Sequence, residues 1–156
     1  MTGHIIIIGA SHAGITCAEQ LRTLGFSGAI TLIDRQSGAP LERPPLSKSY
    51  LGSIPEDDDK FLLRRPEWFD KFQVTMIDGM AVERIDSGLH QICLADGQSL
   101  NYDKLILATG AVPRSLPQLV GLENVHVLRS PDDAAALRRA MQTANTAVVI
   151  SGGYIG

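Results

Sequence analysis

Ile5, Ile6, Ile7 and Ile8 follow one another without a polar interruption. A β-branched run that is apolar on both faces predicts a strand buried in a parallel sheet, here beginning at His4. Gly9 and Gly14 punctuate its end, and beyond them the periodicity becomes helical from Ile15 to Leu24, with Ile15, Ala18, Leu21 and Leu24 on one face. Strand, tight turn and helix thus follow in order. Ala29–Ile33, Val74–Ile77 and Asp103–Ala108 read as further buried strands, so parallel strands are expected to begin near residues 4, 29, 73 and 103.

Between the last two of these the rhythm changes. Val82–Ile85, Gln91–Leu94 and Ser99–Tyr102 are short, and Ser87-Gly88 and Asp96-Gly97 separate them as turn signals. They predict a three-stranded antiparallel meander over 81–102, in place of a crossover helix. Pro66–Phe72 predicts a short helix that starts on its proline and turns Trp68, Phe69 and Phe72 inward. Pro44 and Pro45 are expected to force Arg43 and Pro44 out of helical geometry. Ser47 then caps a short helix to Leu51, with Lys48 in its first turn, where the helix dipole disfavours a cation. Lys48 reads either as a surface lysine or as a cation placed to meet an anion or an electron-rich ring.

Past a proline-containing connector at 111–122, Val125–Leu128 predicts a strand. Ser130-Pro131-Asp132-Asp133 opens a helix that runs to about Thr143. Thr146–Ile150 predicts another buried strand, followed by Ser151-Gly152-Gly153-Tyr154-Ile155-Gly156. The acidic run Glu56–Asp59 reads as a solvated loop.

Two glycine-rich stretches carry the candidate chemistry. Gly9-x-Ser11-x-x-Gly14 joins a strand to a helix, whose first N–H groups and positive dipole end suit a pyrophosphate. Ser11 replaces the middle glycine of the dinucleotide-binding pattern and keeps a small side chain with a hydroxyl. Asp34 lies twenty residues past Gly14, at the end of the second strand, where a ribose-binding acid is expected. Aligning Gly9 with Ser151 also aligns Ser11 with Gly153 and Gly14 with Gly156, so the pattern begins a second time. The expected fold class is α/β, a Rossmann-like doubly wound parallel sheet with an antiparallel β-meander.

Composition narrows the partners. The 156 residues carry a net charge of −3, which argues against general nucleic-acid binding. No apolar run reaches membrane-spanning length, and the first strand follows the N-terminus without a charged leader, so a cytoplasmic location is the expectation. Cys17 and Cys93 are isolated and form no metal-ligand spacing, and no metal is expected.

Gly-x-Ser-His-Ala-Gly, Arg-Pro-Pro-Leu-Ser-Lys, Ala-Thr-Gly-Ala, Leu-Arg-Ser-x-x-Asp-Ala and Gly-Gly-Tyr-Ile-Gly occur in this order along the chain. In these motifs the sequence resembles the N-terminal part of FAD-dependent pyridine-nucleotide oxidoreductases of the ferredoxin (putidaredoxin, rubredoxin) reductase type. The resemblance implies an FAD domain interrupted by an NAD(P)H domain. It also implies hydride transfer from NAD(P)H to FAD, then electron delivery to a ferredoxin- or rubredoxin-like iron–sulfur protein.

By motif match, Gly9, Ser11, Ala13 and Gly14 line the FAD pyrophosphate, and Asp34 and Arg35 the adenosine ribose. Arg43 meets the cofactor near the same edge, Pro44 shapes the pocket with Pro45, and Lys48, the catalytic candidate, stands by the flavin ring. Val82 contacts adenine, Thr109 and Gly110 the pyrophosphate side, and Arg129 the flavin side. Local packing accounts for Val82 and Ala13 equally well. Residues 36–52 contain no cysteine, which excludes the dithiol relay of the related disulfide reductases.

The resemblance further implies a division into residues 1–115, the N-terminal part of the FAD-binding domain, and 116–156, a connector with the beginning of an NAD(P)-binding domain. The isolated chain is then a fragment, expected to be inactive and open to self-association. Two other readings stay open: the NAD site of a plain dehydrogenase, and a non-catalytic, self-associating module.

Overall fold

The computed structural model describes residues 2–53 and 59–151. The chain divides into two compact units, Met1–Glu42 with Asp58–Ala111 and Arg43–Asp57 with Val112–Gly156.

In the first unit, β1 (His4–Ile8), β2 (Ala29–Ile33), β3 (Val74–Ile77) and β7 (Lys104–Leu107) form a parallel sheet in the order β3-β2-β1-β7. The isoleucine run occupies one of the two inner strands: Ile6 lies opposite Thr31 on β2 and Leu105 on β7. Because successive side chains point to opposite faces, the run serves two cores. Ile5 and Ile7 pack with Ile15 and Ala18 of α1 (His12–Thr23), backed by Trp68, Phe69 and Phe72 from α2 (Pro66–Lys71) and its end. Ile6 packs with Ile33 on the opposite face, against Ile92 and Leu94.

Those last two side chains belong to the meander of β4 (Val82–Asp86), β5 (Gln91–Leu94) and β6 (Ser99–Asn101), antiparallel in that order. Helices, parallel sheet and meander are therefore three layers with β1 in the middle one.

Two expectations fail at the margins of this unit. Leu24 caps the end of α1 and is 82% exposed instead of continuing its buried face. The last parallel strand is not fully buried: Leu107 is 62% exposed, because β7 is an edge strand with β1 on one side only.

The second unit is built on α3 (Pro131–Met141), which Ser130 opens with a reciprocal capping box to Asp133. Its Ala134 is buried, as are Leu46 and Tyr50 from the segment after Arg43. That segment departs from its expected form. A 3-10 helix spans Pro44–Ser47, with Arg43 at its N-cap in right-handed helical geometry. Prolines are tolerated in a first turn, whose N–H groups lack partners within the helix in any case, so Pro44 and Pro45 start the turn. Ser47 is thus its last residue and Lys48 its C-cap, where the dipole favours a cation.

Val125–Leu128 and Thr146–Ile150 belong to no strand and pair with none among the described residues. Val148 is 89% exposed. Their composition supplies strand propensity but no ladder partner, and a strand needs both. Residues 56–58 of the acidic run and 152–156 of the second glycine stretch lie outside the described residues.

Candidate functional site

Gly9 leaves β1 with φ +108°, a conformation that side-chain-bearing residues rarely adopt. A Cβ there would run into the Ala108 carbonyl and stand 3.2 Å from the Thr109 amide nitrogen. The first glycine thus lets the chain leaving β7 approach the chain leaving β1. Gly14 has a separate reason: a Cβ would overlap the Gly9 carbonyl oxygen and press on Leu32 at 3.3 Å. The last glycine seats α1 against the loop and the sheet beneath it.

Ser11 takes the N-cap in extended geometry, and the Ile15 N–H donates to its carbonyl oxygen at 3.0 Å, starting the helical ladder. His12 and Ala13 lie exposed in the first turn, where N–H groups have no partner within the helix. No acidic residue stands in that turn to offset the positive end of the dipole.

Asp34 closes the loop from the neighbouring strand. One carboxylate oxygen accepts the Ala10 N–H at 2.8 Å and the other the Gln36 N–H at 2.9 Å. The Asp34 N–H donates to the Ile77 carbonyl at 2.9 Å, so its backbone is tied to the end of β3. A carboxylate oxygen has more than one acceptor site, so both oxygens retain capacity for a ribose hydroxyl. Arg35 is exposed beside it, Val82 is half-buried in the meander core, and Thr109 and Gly110 are exposed just past β7.

The carboxyl ends of β1, β2 and β7 thereby gather Gly9, Ser11, Ala13, Gly14, Asp34, Thr109 and Gly110, the edge at which open α/β sheets take ligands. A loop that admits no Cβ at two positions, an open helix start and an acid on the adjacent strand fit the pyrophosphate and ribose of a dinucleotide.

The remaining predicted residues lie in the second unit. The Arg43 guanidinium donates through Nη1 to the Arg129 carbonyl at 2.8 Å, so these two come together through side chain and backbone. The Arg129 N–H donates to the Asp133 carboxylate at 2.9 Å. Pro44 and Lys48 are exposed, and the Lys48 N–H donates to the Pro45 carbonyl at 2.8 Å.

Nothing in the sequence marks Arg138. Its Nη2 donates to the Tyr50 carbonyl at 2.7 Å and its Nε to the Leu51 carbonyl at 3.1 Å. A basic residue in a helix's last turn is ordinary, and no local signal distinguishes this one. Among the described residues no group of His, Cys, Asp and Glu could hold a metal ion, and no helix is long and apolar enough to cross a membrane.

The family model of pyridine nucleotide-disulphide oxidoreductases matches residues 3–156. Rhodocoxin reductase from Rhodococcus erythropolis is 44% identical over 153 residues, which make up 97% of this chain and 36% of that protein. This chain therefore spans little more than a third of that curated relative. Among solved structures, a ferredoxin reductase from Rhodopseudomonas palustris superposes with a TM-score of 0.81 at 35% identity, over 89% of this chain and 34% of that one. Putidaredoxin reductase, in its covalent complex with putidaredoxin, gives 0.79 at 35% identity over 88% and 34%.

Proposed function

The chain belongs to the pyridine nucleotide-disulphide oxidoreductase family, and from that premise we propose that it is the FAD-binding portion of an NAD(P)H-dependent ferredoxin-type reductase. The observation that carries the reading is the loop from Gly9 to Gly14, closed by Asp34 through the Ala10 N–H and opening onto the start of α1. The similarity to reductases whose names specify ferredoxin, rhodocoxin and putidaredoxin supports a small electron-carrier protein as the acceptor.

When bound, FAD supplies the chemistry that accepts hydride from NAD(P)H and releases electrons singly. The chain's own residues bind and orient it. N–H groups of the first turn of α1 hold the pyrophosphate, and Asp34 receives a ribose hydroxyl while keeping its backbone partners. Arg35, exposed at that edge, lines the adenosine ribose with it. Lys48, at the end of the 3-10 helix, holds a cation for the flavin ring, and Arg43 and Arg129 contribute to the flavin side. Residues 1–115 belong to the FAD-binding domain and 116–156 open an NAD(P)-binding one.

The meander over 82–101 favours FAD over a plain NAD site, since it occupies the crossover that a simple dehydrogenase unit gives to a helix. The test is the absorption spectrum of the purified chain after loading with FAD and gel filtration. Retained flavin at near one per chain is expected, with retention lost in Gly14→Val. Retention of NAD but not of FAD would overturn the reading in favour of a dehydrogenase unit. A flavin-free chain eluting as a multimer would favour a non-catalytic module.

A further inference from the structure

Ser47, Lys48 and Ser49 are all exposed, yet the residues on either side of them, Leu46 and Tyr50, are only 4% and 5% exposed. The three project from a short arch whose feet are buried. One carbonyl closes the arch: the Pro45 oxygen accepts the Lys48 N–H at 2.8 Å and the Tyr50 N–H at 3.0 Å. The far foot is held by α3. Arg138 reaches the Tyr50 and Leu51 carbonyls with two separate N–H groups, and its guanidinium lies over the Tyr50 ring at 5.7 Å. The Tyr50 carbonyl also accepts the Ser53 N–H at 3.1 Å and the Ser53 hydroxyl at 2.8 Å, so this peptide is the most heavily bonded point of the arch. Arg43 holds the near foot through the Arg129 carbonyl.

A forked cation that grips two consecutive carbonyls fixes the plane of the peptide between them, which a point charge on a flexible stem does not. Turning that peptide would swing the Tyr50 carbonyl away from Ser53 and loosen the far foot, Tyr50, whose own N–H closes the arch on Pro45 two residues past Lys48.

We infer that Arg138 is the positioning residue for Lys48: it sets the aim of the lysine through the Tyr50–Leu51 peptide without touching the cofactor itself. The inference rests on the flavin-facing role given to Lys48 above. Small misplacements of a group aligned for reaction are costly in rate, up to about a hundredfold for an ångström. Loss of the grip is therefore expected to act on flavin reduction through Lys48.

Two measurements test this. In the cofactor-free 156-residue chain, Arg138→Met should speed amide hydrogen exchange at Tyr50 and Ser53 at least about tenfold, while amides of β1 keep their protection. Unchanged exchange at Tyr50 and Ser53 would overturn the inference. In the FAD-loaded reductase that carries this segment, stopped-flow reduction by NAD(P)H is compared for Lys48→Ala, Arg138→Met, Arg138→Lys and the double variant Lys48→Ala/Arg138→Met. Arg138→Met should slow reduction about tenfold or more, Arg138→Lys should recover little of it, and the double variant should be no slower than Lys48→Ala.

A merely structural arginine would add its full factor on top of the lysine variant, and that result would overturn the inference. So would wild-type reduction by Arg138→Met while Lys48→Ala is slow. Should Arg138→Met fail to fold, Arg138→Lys in the two lysine backgrounds decides by the same criterion. Wild-type reduction by Lys48→Ala itself would overturn the flavin-facing role of Lys48 and this inference with it.

Discussion

Asp34 accepts the backbone N–H of Ala10 at 2.8 Å, so the acid at the end of the second strand grips the glycine loop at the end of the first. With its second oxygen on the Gln36 N–H, the carboxylate orders both sides of the strand end at once. Hydrogen bonds to a charged acceptor contribute about 1.5–3 kcal/mol each.

Asp34 is only half-buried, so water offsets part of each bond, and Asp34→Ala should destabilise the cofactor-free chain by about 2 kcal/mol or more, read as a shift in urea midpoint. Asp34→Asn should fall between the two, since its amide oxygen keeps one acceptor while its NH2 faces a donor. If the alanine variant melts with wild type in the absence of FAD, the bond to Ala10 is not holding the loop.

Gly14→Ala and Gly25→Ala make a paired prediction. At Gly14 the added methyl overlaps the Gly9 carbonyl oxygen, whereas at Gly25, with φ +86°, nothing lies within 4 Å. Overpacking costs about 1–3 kcal/mol and backbone displacement comes with it, so Gly14→Ala should lose both stability and FAD retention. Gly25→Ala should cost about 1 kcal/mol from its backbone conformation alone and retain FAD fully. Equal flavin retention by the two would contradict the crowding argument.

Arg22 donates to four carbonyls, those of Phe26, Gly28, Phe72 and Gln73, at 2.7–2.8 Å. It ties the end of α1 to the approach to β2 and to the link between α2 and β3. Arg22→Met keeps much of the stem but frees four acceptors, and about 2 kcal/mol or more should be lost. Arg22→Lys should recover less than half of it, because an ammonium cannot span that fork. Chemical denaturation of the two variants checks both numbers, and a near-wild-type lysine variant would count against the fork.

Burial pushes the Cys17 thiol on α1 above its ordinary pKa. The sign follows: the folded state holds the proton more tightly than the unfolded chain. The associated stability is fully present below the unfolded-state value and declines as pH rises through the folded one. Alkylation of Cys17 should accordingly lag behind a model thiol at pH 8 and catch up only at higher pH, when followed by mass spectrometry of the native chain. Alkylation at the model-thiol rate at pH 8 would contradict a desolvated thiol.

The isolated 156 residues should show no NAD(P)H-dependent reduction of ferricyanide above a free-flavin control. The chain spans 36% of its rhodocoxin reductase relative, and hydride transfer depends on two cofactors held in near contact. Turnover above the control would show that these residues suffice.

Ile5–Ile8 and Thr146–Ile150 show where local information ends. Both runs are apolar, rich in β-branched residues and followed by a small-residue loop, and from sequence they predict the same buried strand. The first is one, because β2 and β7 pair with it on both sides and two layers cover its faces. The second stands exposed and unpaired among the described residues. The sequence by itself determined what depends on neighbours in the chain: the alternation that gives β1 two cores, the turn pairs that fold the meander, the caps of α3 and the spacing of Gly9, Gly14 and Asp34. Only the tertiary structure decided that Asp34 grips Ala10, that Lys48 ends a 3-10 turn instead of starting a helix, and that Arg138 holds the arch beneath it. The pairing of Ile5 with Lys104 and the bonds of Asp34 to Ala10 and of Arg138 to Tyr50 join residues far apart in the chain, and no periodicity in the chain records which acceptor a distant donor will meet.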